Sequence, residues 1–322
     1  MSHAFVLDKE TLLCCLTSKG WQPLSIPLPT VQEGEPIPYQ LGRVTLLESL
    51  APNKWQSTQT SHATSQVSSN DDALAATAIS YHYAQNNQLA LPEITTDIEA
   101  IIIANSGTTE KSAPIHAFIP YRQLITQLVP ALANQISQAI QLLRWQTDTQ
   151  FCSRCSAAVS VAHSGERAMV CGVCRLRQYP RVQPCVITAI TRPNPQTGEM
   201  QVLLAHHHRY GQTSLPLQYG LIAGFVEVGE SLEHAVVREV YEEVGLRLAD
   251  IRYVSSQPWP FPSNLMLGFR ATYQSGEIVL QEDELSHADF FDLSALPKIP
   301  FKGSIAYELI AQIAHEQGIS LA

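Results

Sequence analysis

The segment 224–246, GFVEVGESLEHAVVREVYEEVGL, constrains the fold more than any other part of the chain. Apolar residues recur in it at helical spacing, which predicts an amphipathic helix over residues 231–244. Gly224 and Gly229 lie in the loop before this helix, and Gly245 ends it, where a left-handed backbone conformation is often required. One run of residues therefore predicts a loop, a helix and a helix end.

Three glutamates share one side of the predicted helix. Glu239 lies three residues before Glu242 and four before Glu243, so at about 3.6 residues per turn the three carboxylates project together. A solvated helix face is the ordinary explanation of such a cluster. Glu239 and Glu243 instead border the apolar stripe, where neighbouring carboxylates repel one another without a cation. The cluster thus predicts a site for Mg2+ or Mn2+, which prefer oxygen ligands.

Such a site suits phosphate chemistry. Divalent ions neutralise phosphate oxygens and lower the pKa of a bound water, which becomes a nucleophile at neutral pH. Arg238 lies four residues before Glu242 and is placed to hold that carboxylate in orientation. Glu242 and Glu243 are both candidates for the general base, and spacing does not choose between them.

Four of the seven cysteines form two close pairs. Cys152 and Cys155 are separated by two residues, and so are Cys171 and Cys174, with fifteen residues between the pairs. Each pair can supply two thiolates from a tight turn, which predicts a tetrahedral zinc site of the structural kind. Arginines surround the pairs but stacking aromatic residues are scarce, so a structural role is favoured over nucleic-acid binding.

Length and charge indicate the domain organisation and the class of partner. A chain of 322 residues with a formal charge of −9 predicts two or three domains and disfavours tracking of a long nucleic-acid backbone. We find no secretory signal and no apolar window of membrane-spanning length, so a cytoplasmic protein without a membrane segment is expected. We predict an N-terminal α+β domain at residues 1–146, a zinc ribbon at 147–181 and an α/β domain at 182–322.

Hydrophobic periodicity predicts the remaining elements. Helical spacing predicts a helix over 119–145 that Pro130 kinks or divides, and another helix over 303–316. The polar segment 49–72 predicts a solvated or disordered loop, and the proline-rich run 23–38 predicts a loop or a sheet edge. Short apolar runs predict strands at residues 4–7, 11–16, 100–104, 185–191, 201–205, 252–255, 265–273 and 277–280.

Two motifs resemble signatures of a known family. Segment 224–246 fits the Nudix box, G-x5-E-x7-R-E-U-x-E-E-x-G-U with U aliphatic, at every fixed position. Residues 256–266, SQPWPFPSNLM, closely resemble the SQPWPFPxS signature of NADH pyrophosphatases, with Asn264 in place of the last serine. The residues that fill the box are Gly224, Glu230, Arg238, Glu239, Val240, Glu242, Glu243, Gly245 and Leu246.

The resemblance implies a fold, an activity and an assembly. The implied fold class is α/β: a Nudix α/β/α sandwich with a mixed sheet, preceded by a small zinc ribbon and an N-terminal α+β domain. The implied activity is metal-dependent hydrolysis of the pyrophosphate bond of NADH or NAD+ to nicotinamide mononucleotide and AMP, together with removal of NAD caps from RNA. The family is dimeric, so a homodimer is implied as well.

The resemblance also assigns metal ligands. Glu239, Glu243 and the downstream Glu284 are implied ligands of the catalytic Mg2+ or Mn2+, with Glu242 beside them and the carbonyl of Ala223 contributing. For Glu284 a solvated loop is the competing explanation, because it belongs to an acidic run.

Substrate contacts are implied at thirteen positions. Phe225 is expected to stack on the adenine ring, and Tyr179 and Glu166 are expected to belong to a composite site across the dimer interface. The remaining implied contacts are Gln257, Pro258, Trp259, Pro260, Phe261, Pro262, Ser263, Asn264, Ala306 and Arg122.

Two other functions are compatible with the sequence. One is a Nudix hydrolase of broader specificity that acts on ADP-ribose or other dinucleotides. The other is a nucleotide- or RNA-binding module without turnover, although the intact glutamate cluster argues against it. The three consecutive histidines 206–208 invite assignment to a metal, but their polar surroundings predict a solvent-facing turn.

Overall fold

The computed structural model describes residues 2–18, 20–28, 39–43, 75–96, 114–125, 127–128, 130–162, 166–211 and 216–321. The chain divides into two compact units, Met1–Arg181 and Val182–Ala322. The predicted strand 100–104 and the predicted loop 49–72 lie outside the described residues. The further division of the first unit at residue 146 stays a prediction.

A seven-stranded sheet forms much of the first unit. Its strands are β1 (Ser2–Asp8), β2 (Thr11–Thr17), β3 (Gly20–Pro23), β4 (Ser25–Leu28), β5 (Tyr39–Arg43), β6 (Ala75–Ser80) and β7 (His116–Pro120). They follow the order β3-β2-β1-β6-β5, while β4 pairs with β1 and β7 pairs with β2. The predictions of the first two strands are confirmed, and β4 takes up the start of the proline-rich run, where a loop or an edge was expected.

In its described part, the same unit contains three helices: α1 (Tyr81–Asn86), α2 (Tyr121–Leu124) and α3 (Pro130–Asp148). The predicted division at Pro130 is confirmed, because α3 begins at this proline, whose missing N–H costs nothing in a first turn. The prediction was wrong at Ile119, which lies in β7 opposite Leu12 of β2. Among the described residues, no helix is long and apolar enough to span a membrane.

A small three-stranded sheet ends the first unit. Its strands are β8 (Val159–Val161), β9 (Met169–Cys171) and β10 (Arg177–Gln178), and β9 pairs with both of the others in antiparallel fashion. The sheet occupies the part of the chain that carries the two cysteine pairs.

A six-stranded mixed sheet forms the centre of the second unit. Its strands are β11 (Gln183–Pro193), β12 (Met200–His207), β13 (Ile222–Phe225), β14 (Arg247–Trp259), β15 (Asn264–Ser275) and β16 (Leu285–Asp292). The order is β14-β15-β11-β12-β16, with β13 paired to β11. The β11–β15 pair is parallel and the other pairs are antiparallel.

Two helices, α4 (Leu232–Val244) and α5 (Ile305–Glu316), cover opposite faces of this sheet. Side chains alternate between the faces of a strand, so Leu203 of β12 packs with Val240 of α4, while Leu204 packs with Leu309 of α5. The predicted α/β/α sandwich with a mixed sheet is thereby confirmed.

The predicted strand at 277–280 was wrong. Ile278 and Leu280 are partly buried at alternate positions, as in a strand, but the backbone N–H of Val279 donates to the carbonyl of Val244 at the end of α4. The segment therefore satisfies its backbone at a helix end instead of in a sheet. Two strands that the sequence pattern did not predict, β13 and β16, complete the sheet.

Replacement of Gly245 by alanine is expected to destabilise the second unit. Gly245 has φ +72°, and an added Cβ would lie 3.2 Å from the carbonyl oxygen of Glu277. The left-handed backbone alone costs about 1–2 kcal/mol for an alanine. Gly198→Ala is the matched control, because Gly198 has φ +77° and open space around it. Urea unfolding of the full chain should show a larger loss of unfolding free energy for Gly245→Ala than for Gly198→Ala. Equal losses would mean that segment 277–279 moves away from the added Cβ at little cost.

Candidate functional site

The predicted loop, helix and stop are present around α4. The hydroxyl of Ser231 caps the helix by accepting from the backbone N–H of His234 at 3.2 Å, and Gly245 ends it in the left-handed conformation. Gly224 on β13 has a different reason to be glycine. A Cβ at this position would lie 1.8 Å from Cδ of Glu239, so only a bare backbone admits that carboxylate.

Arg238 fixes the carboxylates of the loop and the helix. Its Nε and Nη2 atoms donate to the two oxygens of Glu230 at 2.8 and 2.9 Å, and Nη2 also donates to the carbonyl of Phe225 at 2.9 Å. Its Nη1 atom donates to Glu239 at 2.9 Å and to Glu242 at 3.0 Å. A guanidinium has five N–H donors, and these five bonds engage them within the protein. Arg238 is thus placed to position carboxylates.

The charge of Arg238 also acts on its partners. Its hydrogen bonds to Glu230 lower the pKa of that carboxyl to about 2. Burial raises the pKa of Glu239, against the opposing effect of the arginine. Glu242 is about half exposed and pairs with the arginine from the solvent side. The carboxylates of Glu230, Glu239 and Glu242 therefore lie in three different environments.

Glu243 is the buried member of the cluster, with a side chain that is 2% exposed. Ala223 of β13 contributes a backbone hydrogen bond to its carboxylate, whereas Oε2 has no hydrogen-bond partner among the described residues. Burial raises the pKa of Glu243 to about 8, and the nearby charges of Glu284 and Glu239 add to the rise. A buried carboxylate in this environment is stabilised by a cation.

The structure places Glu284 and His207 beside Glu243. One ligand atom from each of these three side chains lies within 4.8 Å of the other two, and His207 Nε2 is 3.9 Å from Glu243 Oε2. Oxygen ligands and an imidazole at this spacing fit a divalent ion. The Glu284 side chain is exposed, and one of its carboxylate oxygens belongs to this group, so its role as a metal ligand stays a prediction.

The prediction of a solvent-facing turn for residues 206–208 was wrong for two of the three histidines. His206 is 1% exposed and His207 is 2% exposed, because both lie in the last part of β12 between the two helical layers. Burial lowers the pKa of His207 to about 4, so its imidazole is neutral at pH 7. His208 is exposed, and its Nε2 atom is 3.0 Å from the carbonyl oxygen of Glu282.

The SQPWPFP segment forms the end of β14 and the turn of a hairpin between β14 and β15. Gln257 is buried and ties the hairpin to the start of α5: its Nε2 donates to the carbonyl of Gly303, and its Oε1 accepts from the N–H of Ile305, both at 2.8 Å. At the tip, the ring of Trp259 contacts Phe261 edge-on and stacks on Phe301.

The other predicted substrate residues of this unit differ in exposure. Phe225 is half exposed at the end of β13, as a stacking residue must be. Ser263 donates to Gln183 at 3.0 Å, and the side chain of Asn264 is buried with no hydrogen-bond partner for Oδ1 among the described residues. Ala306, in the first turn of α5, is buried in the core, so its side chain packs against protein. Pro258, Pro260 and Pro262 lie in or beside the hairpin tip.

The four predicted zinc ligands converge in the first unit, around the small sheet of β8, β9 and β10. The Sγ atoms of Cys152 and Cys174 are 3.4 Å apart, and those of Cys155 and Cys171 are 3.5 Å apart. All four sulfur atoms lie within 4.8 Å of one another. Tetrahedral zinc at about 2.3 Å from each sulfur requires separations of this order. The four ligands are Cys152, Cys155, Cys171 and Cys174.

Both cysteine turns have the same backbone form. Ser156 and Arg175, the residues that follow the two pairs, have φ values of 60° and 62°, and a backbone N–H in each turn donates to the first sulfur at 3.4 Å. Such N–H donors stabilise a thiolate. The cluster is therefore compatible with structural zinc.

Three predicted substrate residues lie in the first unit. The hydroxyl of Tyr179 donates to Glu166 at 2.8 Å, and Arg177 pairs with the same carboxylate. This hydrogen bond raises the pKa of the Tyr179 hydroxyl. Arg122 is exposed on α2. The structure thus brings Tyr179 and Glu166 together, and their contact with substrate stays a prediction.

Comparisons with known proteins identify the family of the chain. Residues 183–313 match the family model described as NUDIX domain. The NAD-capped RNA hydrolase NudC of Pseudomonas aeruginosa is 44% identical over 197 residues, which cover 61% of this chain and 67% of the relative. The protein of the same name from Photobacterium profundum is 46% identical over 195 residues, covering 60% and 68%.

Among solved structures, the NUDIX hydrolase of Nitrosomonas europaea is 21% identical with a TM-score of 0.41, covering 53% of this chain and 94% of that one. The family match makes the second unit a domain of the Nudix class, a hydrolase fold that requires a divalent metal ion. From the sequence relatives, the chain belongs to the Nudix hydrolases of the NADH pyrophosphatase family.

Without added Mg2+ or Mn2+, we expect Glu243 to make the protein less stable as the pH rises. The carboxyl holds its proton up to about pH 8 in the folded chain but only to about pH 4.5 when unfolded. The folded state thus binds more protons between these values, so its stability falls across that window. Melting temperatures of the parent and of Glu243→Gln are measured from pH 5 to 9. The melting temperature of the parent should fall more steeply with rising pH than that of the variant, which lacks the titrating carboxyl.

The control for this measurement is Glu242→Gln, which alters an exposed carboxylate on the same helix. It should keep the pH dependence of the parent. A Glu243→Gln profile parallel to that of the parent would contradict the burial of a protonated carboxyl at position 243.

Proposed function

We propose that this enzyme hydrolyses the pyrophosphate bond of NADH and NAD+ to nicotinamide mononucleotide and AMP, and that it removes NAD caps from the 5′ end of RNA. The observation that carries the proposal is the group of Glu243, Glu284 and His207 next to the box carboxylates of a Nudix domain. The relatives named NAD-capped RNA hydrolase support the choice of substrate.

The proposed catalytic metal is Mg2+ or Mn2+, held by Glu239, Glu243 and Glu284 with the carbonyl of Ala223. When bound, such an ion neutralises phosphate charge and lowers the pKa of a coordinated water. Arg238 positions one of these ligands, because it donates a hydrogen bond of 2.9 Å to the carboxylate of Glu239. The catalysis is electrostatic positioning more than covalent chemistry.

The environments of Glu242 and Glu243 favour different roles for the two carboxylates. The burial of Glu243 and its place in the ligand group favour a role as ligand. Glu242 is half exposed beside the group and oriented by Arg238 at 3.0 Å, which favours it as the general base.

Substrate would bind between exposed aromatic surfaces of the second unit. Phe225 offers a half-exposed ring to the adenine, and the stacked pair Trp259 and Phe301 offers a second flat surface. The exposed pair of Tyr179 and Glu166 is proposed to complete the site across a homodimer interface. We also propose that the four-cysteine cluster binds zinc and that its role is structural.

The first experiment measures AMP release from NADH, NAD+, ADP-ribose and NAD-capped RNA, with Mg2+ or Mn2+. We expect metal-dependent cleavage of NADH, reduced about a hundredfold or more in Glu243→Gln because a buried ligand loses its charge. Glu233→Gln is the matched control, since Glu233 is exposed in the first turn of the same helix and should keep the parent rate.

Each other outcome of this panel has a distinct meaning. Faster cleavage of ADP-ribose than of NADH or NAD+ would favour the broader hydrolase. Absence of cleavage of all four compounds, with retained binding of uncapped RNA, would refute the enzyme and indicate a binding module.

The zinc assignment is tested by metal analysis of the purified chain. The parent should contain about one zinc per chain, as expected for a closed four-cysteine site. Cys171→Ser should lose that zinc and unfold the first unit at lower temperature, because Cys171 is a buried member of the cluster. Cys15→Ser, outside the cluster, should retain the zinc, and a parent chain without zinc would contradict the assignment.

A further inference from the structure

We propose that His207 is a direct ligand, through Nε2, of the divalent ion that Glu243 and Glu284 bind, so that the centre has a mixed nitrogen and oxygen donor set. This inference rests on the proposed metal-dependent function and deepens it. It concerns a residue outside the Nudix box, on a strand that precedes the box in sequence.

The distances fit ligation by a single ion. Donors bound to one ion at about 2.1 Å each lie at most about 4.2 Å apart. His207 Nε2 and Glu243 Oε2 are 3.9 Å apart, which is within this limit and beyond hydrogen-bond distance. Glu284, the exposed member, completes a group whose ligand atoms lie within 4.8 Å of one another.

The sheet directs His207 toward the metal-binding face. Side chains of β12 alternate, and Leu203 and Ala205 pack in the cluster beneath α4, so His207, two residues further, points to the same face. The register of β12 with β16 shifts between His206 and His207, but the extra residue is Ser286 of β16, so the alternation along β12 continues to His207.

Backbone hydrogen bonds hold the three ligands in place. The N–H of His208 donates to the carbonyl of Glu284 at 3.0 Å, which ties the acidic turn to the end of β12. The N–H of Gln281 donates to the carbonyl of Glu243 at 3.0 Å, which ties the same turn to the end of α4. The group is therefore assembled by three elements that are fixed to one another before a metal binds.

Burial provides a second and independent observation. Glu243 is 2% exposed, and its Oε2, the atom that faces His207, has no hydrogen-bond partner among the described residues. An oxygen in this position is costly unless a cation or a donor satisfies it. An ion bound to Oε2 would satisfy this oxygen, and the imidazole lies close enough to bind the same ion.

A nitrogen ligand has a consequence for metal choice. Imidazole suits transition metals, whereas Mg2+ is held almost entirely by oxygen. We therefore expect the full chain to bind Mn2+ more tightly than Mg2+. His207→Gln should weaken Mn2+ binding by about tenfold or more and Mg2+ binding by less. The ratio of Mn2+ affinity to Mg2+ affinity should therefore decrease in the variant.

The direct test is pulsed electron paramagnetic resonance of Mn2+ bound to the full, zinc-loaded chain. A coordinated imidazole gives a nitrogen modulation, which we expect in the parent and expect to be absent in His207→Gln. His206→Gln is the matched control, since His206 is equally buried on the same strand but its Nδ1 is 2.8 Å from the carbonyl of Gln218. It should retain the modulation and the Mn2+ affinity.

Isotope labelling keeps the test independent of the folding of any variant. In parent protein with 15N-labelled histidine, the modulation should change to that of 15N. Bound Mn2+ without nitrogen modulation in the parent would overturn the assignment of His207 while leaving metal-dependent hydrolysis intact. Failure of the parent to bind Mn2+ at this site would instead overturn the proposed function itself.

Discussion

The guanidinium of Arg238 is the contact on which the arrangement of the site depends. It binds two carboxylates of its own helix, a third from the preceding loop and a carbonyl at the end of β13, so one cation fixes three separate pieces of backbone. It stabilises the Glu239 carboxylate against Gly224, where burial and the charges of Glu242 and Glu284 oppose ionisation. The like charges that a metal site needs are thus held together at moderate cost.

The sequence predicted the helix and its ends closely, because that information is local. Ser231 at the start, Gly245 at the end and the spacing of apolar residues between them each act within a few residues of the chain. The convergence of the four cysteines was predictable for a similar reason. Two residues between the cysteines of each pair place two thiolates in one tight turn, and two such turns can form one site. The alternation of apolar strands and helices predicted an α/β domain, and the sandwich arrangement was implied by the family resemblance.

Other parts of the site were not predictable from local pattern. A run of three histidines resembles a loop, and only the helices on both faces of β12 make His206 and His207 buried residues. Segment 277–280 has the alternation of a strand, but the N–H of Val279 donates to the carbonyl of Val244 at the end of α4. In each case the decisive partner is distant in sequence, so tertiary contact overrides local preference.

The two hydrogen bonds of Gln257 have a further consequence for how a ligand is received. They join the aromatic hairpin to the first turn of α5, so the wall that carries Trp259 moves with the core of the domain. A wall fixed in this way loses little conformational entropy when a flat ring docks on it. Recognition at this surface then depends on shape that exists beforehand, and a ligand whose ring cannot lie parallel to the indole gains no help from rearrangement of the protein.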